Sequence, residues 1–141
     1  MNHEGEGTLL IWIVAIIILF CASLLIYYMY KNAFQDMLRE IDIYDERFPN
    51  TEKFRLFFIS DVHKRLISEQ TIQQIKNVQL VIIGGDLLEK GVPFERVREN
   101  IHILKQLQAP IFFVWGNNDY EVATDELMMV LSDCGVTILK D

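Results

Sequence analysis

The sequence predicts an α/β domain with a mainly parallel sheet, preceded by one membrane-spanning helix. Three observations carry that reading. No charged side chain occurs between Thr8 and Tyr30. Beyond Glu52, short apolar runs alternate with stretches of helical periodicity, as in βαβ units. Three of those runs end directly in polar clusters, which gathers chemistry-bearing residues at one end of a parallel sheet.

The uncharged run TLLIWIVAIIILFCASLLIYYMY would reach roughly 30 Å or a little more as a helix, the thickness of a bilayer's hydrocarbon core. It assigns 1–8 to an extracytoplasmic N-terminus and 9–30 to the span. No second apolar run of that length follows in the 141 residues, which argues against a multi-pass transporter as much as against a fully soluble protein. Cleavage as a signal peptide is not expected. The leading residues include Glu4 and Glu6 instead of a basic cluster, and the run ends in bulky Tyr27, Tyr28, Met29 and Tyr30. Phe20 before Cys21 likewise disfavours lipid attachment at that cysteine. All thirteen Lys and Arg follow the span, so the positive-inside rule turns the body of the chain to the cytoplasm. Cys21 and Cys134 are not expected to pair in that reducing compartment. Of the twenty acidic residues eighteen lie beyond the span, against thirteen basic ones, a balance that predicts no nucleic-acid affinity.

A connector, 31–53, comes next. Within it Ala33, Phe34, Met37, Leu38 and Ile41 recur at helical spacing with Asp36, Arg39, Glu40 and Asp42 opposite, which predicts a short amphipathic helix packing on its own domain or on lipid headgroups. Pro49-Asn50-Thr51 breaks it and marks the domain boundary. From 54 onward FRLFFIS (54–60), LVII (80–83) and IFFVW (111–115) read as buried strands. Helices are expected over 68–78 and 93–107. Ile72 and Ile75 mark the buried face of the first; Phe94, Val97, Ile101, Leu104 and Leu107 mark that of the second, with Pro93 at its first turn. A third helix, about 124–134, takes Thr124 as its cap and stops at Gly135 before a last apolar run, 136–139.

The polar clusters are Ser60-Asp61-Val62-His63, Gly84-Gly85-Asp86 and Gly116-Asn117-Asn118-Asp119. Asp61 and His63 share a face if the chain stays extended after the strand. The glycines before Asp86 let the backbone turn sharply and let an ion or phosphate approach. Asn117 adds a neutral amide oxygen. Carboxylate, imidazole and amide without thiolate suit Mn²⁺, Fe or Zn²⁺, and two ions sharing Asp86 would activate a bridging water and clamp phosphoryl oxygens. Taken singly, each cluster reads as an ordinary turn or cap. Their succession after successive strands does not.

The order D-x-H, G-D, G-N-N-D, one βα unit apart, resembles the calcineurin-like metallophosphoesterases, and the run from Trp115 to Glu121 is similar to a membrane-anchored bacterial branch of them. The resemblance covers Arg55 to about Asp141 and implies the N-terminal half of an α/β/β/α sandwich. It implies that Asp61 and His63 bind a first metal, that Asp86 bridges to a second and that Asn117 binds the second. The implied substrates are phosphate esters or anhydrides. Asn118 stands where the family has a histidine that protonates the leaving oxygen or stabilises the transition state, oriented by the acidic residue that is Asp119 here; an amide donates a hydrogen bond but transfers no proton. The family's G-H-x-H motif is expected beyond Asp141, so the 141 residues are expected to hold one ion and to turn over negligibly. His3, across the membrane, and His102, in mid-helix, do not substitute. The reading from a different class is a non-catalytic, membrane-tethered protein that binds a phosphorylated ligand in the same crevice.

Overall fold

The computed structural model of the chain describes residues 3–33, 37–47 and 53–139. It divides into two compact units, Met1–Arg39 and Glu40–Asp141. In the first, α1 is a continuous helix, His3–Ala33. The window Ile11–Lys31 is long and apolar enough to cross a membrane, and none of it is buried against protein. Apolar side chains stand on every side, so the helix has no single stripe with which to join a small core, a pattern that suits lipid. Its interior hydroxyl is satisfied locally: Ser23 Oγ donates to Phe20 O at 2.7 Å.

Beyond the end of α1, the expected amphipathic helix does not form over the described residues 37–47 of the connector. Residues 37–45 have no regular structure and a turn follows at 46–47, with Met37, Ile41 and Ile43 exposed. Helical spacing alone does not offset the cost of nucleation when the apolar face buries nothing, and β-branched Ile41 and Ile43 add little propensity. Phe34 and the Pro49-Asn50-Thr51 break lie outside the described residues.

The second unit is built on four parallel strands, β1 Leu56–Ile59, β2 Leu80–Gly84, β3 Ile111–Val114 and β4 Thr137–Ile138, in the order β1-β2-β3-β4. Phe58 pairs with Ile82, and Ile82 in turn with Phe112, so β1, β2 and β3 end at nearly the same level. Alternation sends Val81, Ile83, Ile111 and Phe113 to one face, where they are buried beneath α3 (Phe94–Leu104) and α4 (Thr124–Asp133) through Val97, Ile101, Leu104, Leu127 and Leu131. The opposite face presents Leu56, Phe58 and Val114 exposed and Leu80, Ile82 and Phe112 half-buried. It is apolar in the manner of a sheet that expects a second layer.

Three local expectations need correction. The helix expected over 68–78 is one turn only, α2, Glu69–Ile72, capped by Ser68 Oγ accepting from Thr71 N at 3.2 Å. The chain then turns at Asn77, which takes a left-handed φ of 56°, a conformation asparagine tolerates and a helix does not. Thr124 is not a cap: Ala123 holds the N-cap position without a side-chain bond, and Asp125 and Glu126 supply the negative charge that a helix start favours. Pro93 stands one place earlier than expected, at the N-cap of α3, which continues through a 3-10 turn at Lys105–Leu107 and stops at Gln108 with φ 54°. At the end of α4, Gly135 has φ 68° and its N–H reaches Ser132 O at 2.8 Å while Val136 N reaches Leu131 O at 2.9 Å, the paired closure that returns the chain into β4.

Candidate metal centre

Just beyond the tips of β1 and β2, one donor atom each of Asp61, His63 and Asp86 lies within 4.8 Å of the other two. His63 Nε2 stands 3.9 Å from Asp61 Oδ1. Asp61 is exposed and the other two are half-buried, so the cluster opens to solvent on one side.

The convergence does not come from an extended chain, as the sequence led us to expect. Asp61, His63 and Asp86 all take left-handed φ, 55°, 53° and 54°. Such backbone costs a non-glycine residue free energy and persists where surrounding bonds over-determine it. Those bonds are present: Asp61 N donates to Gly85 O at 3.2 Å and His63 N donates to Asp86 O at 3.1 Å, tying the two strand tips together. Val62 between them is buried and anchors the turn in the core. The loop leaving His63 is pinned by buried Asn100 of α3, whose Oδ1 accepts from Ile67 N at 2.9 Å and whose Nδ2 donates to Arg65 O at 3.0 Å.

Glycine is required where the tips of β2 and β3 meet. Gly85 has φ 88°, and a Cβ there would stand 2.7 Å from Gly116 Cα; a Cβ on Gly116 would fall on the backbone nitrogen and carboxylate of Asp86. This contact brings the third cluster to the other two. Asn118 N donates to Asp86 Oδ1 at 2.8 Å. Exposed Asn117 caps the short 3-10 turn Asn118–Tyr120 and so follows Gly116 at the same end of the sheet.

Asp119 has a different place from the one its motif suggested. It is 0% exposed, and its carboxylate is taken up by backbone: Oδ2 accepts from Asp86 N at 2.7 Å and Gly116 N at 2.9 Å, and Oδ1 accepts from Leu88 N at 3.0 Å. Burial pushes its carboxyl above the ordinary value of 3.8, and the charge of Asp86 adds to that, although the three N–H groups pull the other way. It holds the loops of β2 and β3 together beneath the site. Trp115 packs edge-on to Phe113 and stacks on Tyr120 with ring centroids 5.0 Å apart, closing the same loop from the side. His102 is exposed on α3.

Glu89 is the site residue that sequence reasoning missed. Its Oε2 lies 3.3 Å from His63 Nδ1. A charged residue in a loop after a strand carries no distinguishing signal in sequence.

The donor set fits a divalent cation. Two carboxylates and an imidazole, with no thiolate, are ligands for Mn²⁺, Fe or Zn²⁺. Further, His63 Nε2 is turned toward Asp61, and its buried Nδ1 lies 3.3 Å from the Glu89 carboxylate, on the side where a ligating imidazole has its outer acceptor.

This geometry agrees with comparisons to known proteins. The family model for the calcineurin-like phosphoesterase matches residues 54–134, and the chain belongs to that family of metal-dependent phosphoesterases. Over 88 residues it is 49% identical to uncharacterized protein YpbG of Bacillus subtilis, covering 61% of this chain and 34% of that protein. Over 119 residues it is 25% identical to an uncharacterized metallophosphoesterase of Helicobacter pylori in two strains, covering 78% of this chain and 31% of those proteins. The chain thus spans about a third of the length of the curated relatives it matches. No solved structure matches it.

Proposed function

We propose that the chain supplies the anchor and the first metal site of a membrane-bound hydrolase of phosphate esters or anhydrides whose catalytic body faces the cytoplasm. The observation that supports this best is the gathering of Asp61, His63 and Asp86 donors within 4.8 Å at adjacent strand tips. The distribution of Lys and Arg after the span supports the orientation. In this reading Asp61, His63 and Asp86 hold one cation, and Asp86 with Asn117 reaches toward a second. A bound divalent ion supplies Lewis acidity toward a phosphoryl oxygen and lowers the pKa of water. The chain itself fixes where that happens: Asn118 N–H orients the Asp86 carboxylate, Asp119 fixes the backbone of both loops, and the open side of the cluster admits an anionic ester.

The test is Mn²⁺ binding by the purified chain and, because turnover by these 141 residues is expected to be negligible at ordinary concentration, Mn²⁺-dependent hydrolysis of an aryl phosphodiester at high protein concentration. Slow, cation-dependent turnover that Asp86→Ala removes supports the proposal. A chain that binds no cation yet retains a phosphorylated ligand overturns it in favour of a tethered binding protein. Asn118 gives a second expected result. Because its amide cannot deliver a proton, turnover should fall steeply as the leaving group's pKa rises, and Asn118→His should raise the rate with poor leaving groups by up to about 10²-fold while changing good ones little. Rates against leaving-group pKa for both proteins check this.

A further inference from the structure

His63 sits between two acidic groups that address different ring nitrogens. Nε2 faces Asp61 Oδ1 at 3.9 Å, and Nδ1 faces Glu89 Oε2 at 3.3 Å. Nδ1 is buried and has no hydrogen-bond partner among the described residues, because at this distance the N–H points off the line to the carboxylate oxygen. The Glu89 side chain is 36% exposed and has a solvent side from which to swing into line. His63 has less freedom, since its own N–H is bound to Asp86 O. His63, in the loop after β1, is thereby tied to the tip of β2, whose loop carries Glu89. Leu88, immediately before Glu89, is tied through its N–H to Asp119.

A neutral imidazole offers a lone pair on one nitrogen only when its proton is on the other. We propose that Glu89 is a positioning residue for His63: its carboxylate accepts the Nδ1 proton and fixes the tautomer whose Nε2 lone pair is turned toward Asp61. The use made of that lone pair rests on the metal-site reading; the pairing of Glu89 with His63 does not. Such outer partners of ligating histidines orient the ring and raise its basicity.

The experiment uses the full chain with ¹⁵N-labelled histidine in detergent micelles, free of divalent cations, at a pH where imidazoles are neutral. Long-range ¹H–¹⁵N correlations separate the tautomers, and His63→Asn identifies the signal among the three histidines. The wild type should show His63 protonated at Nδ1. Glu89→Ala should shift it toward Nε2–H, and Glu89→Gln, whose amide oxygen still accepts, should keep Nδ1–H. Calorimetric titration with Zn²⁺ should then give binding about 10- to 100-fold weaker for Glu89→Ala, with most of the loss restored in Glu89→Gln. A wild-type His63 protonated at Nε2, or a tautomer unchanged in Glu89→Ala, overturns the proposal. Failure of the wild type to bind Zn²⁺ would count against the metal-site reading alone, since the tautomer measurement still decides the pairing.

Discussion

Asp119→Ala is expected to destabilise the sheet domain by about 3–5 kcal/mol, enough to remove much of the stability of a domain this size. The substitution leaves the backbone N–H groups of Asp86, Leu88 and Gly116 without their acceptor in an environment closed to water. Each such loss costs on the order of 1–3 kcal/mol, and the three are not additive, because the loops they join relax together. Asp119→Asn should recover only part of the loss. One of the two oxygens becomes an amide donor, and both oxygens now face donors. Urea unfolding followed through Trp115, which packs on Phe113 and Tyr120 beside this loop, reads the difference. An Asp119→Ala chain as stable as the wild type would show that the loops are held by other means.

The second large effect is on cation binding. Asp86→Asn should weaken binding of Mn²⁺ or Zn²⁺ by more than about 10²-fold, beyond what loss of an outer partner produces. The site would lose a full negative charge and one of its three clustered donors. The fold should survive, because the amide oxygen can still accept from Asn118 N, which now bonds Asp86 Oδ1 at 2.8 Å. Equilibrium titration together with far-UV circular dichroism separates the two consequences. Unchanged affinity in a folded Asp86→Asn chain would remove Asp86 from the ligand set.

Much of this arrangement was legible in the residues themselves. Three compact apolar runs, each followed within three residues by Asp or Asn, announce strands whose tips share a crevice, and the parallel order β1-β2-β3-β4 places them so. What was hidden is backbone conformation. Left-handed geometry at Asp61, His63 and Asp86 leaves no signature, since none of the three is glycine and the bonds that enforce it cross from one loop to another. Asp119 was legible as a motif residue and not as a staple, because the direction of its carboxylate depends on where the β2 loop lies. Glu89 was invisible for the same reason, and so was Asn100 of α3, which is buried against the loop after His63. The connector errs in the opposite sense: the spacing of Met37, Leu38 and Ile41 fits a helix, yet residues 37–45 form none. Periodicity reports which face could be buried, and only a partner surface makes burying it favourable.

The most direct measurement is the position of a cation in a crystal of the chain grown with Mn²⁺, located by anomalous scattering. A peak within about 2.0–2.3 Å of an Asp61 oxygen, His63 Nε2 and an Asp86 oxygen is the predicted result. Crystals at millimolar Mn²⁺ with no peak among these three side chains, or with one held elsewhere, would contradict the account.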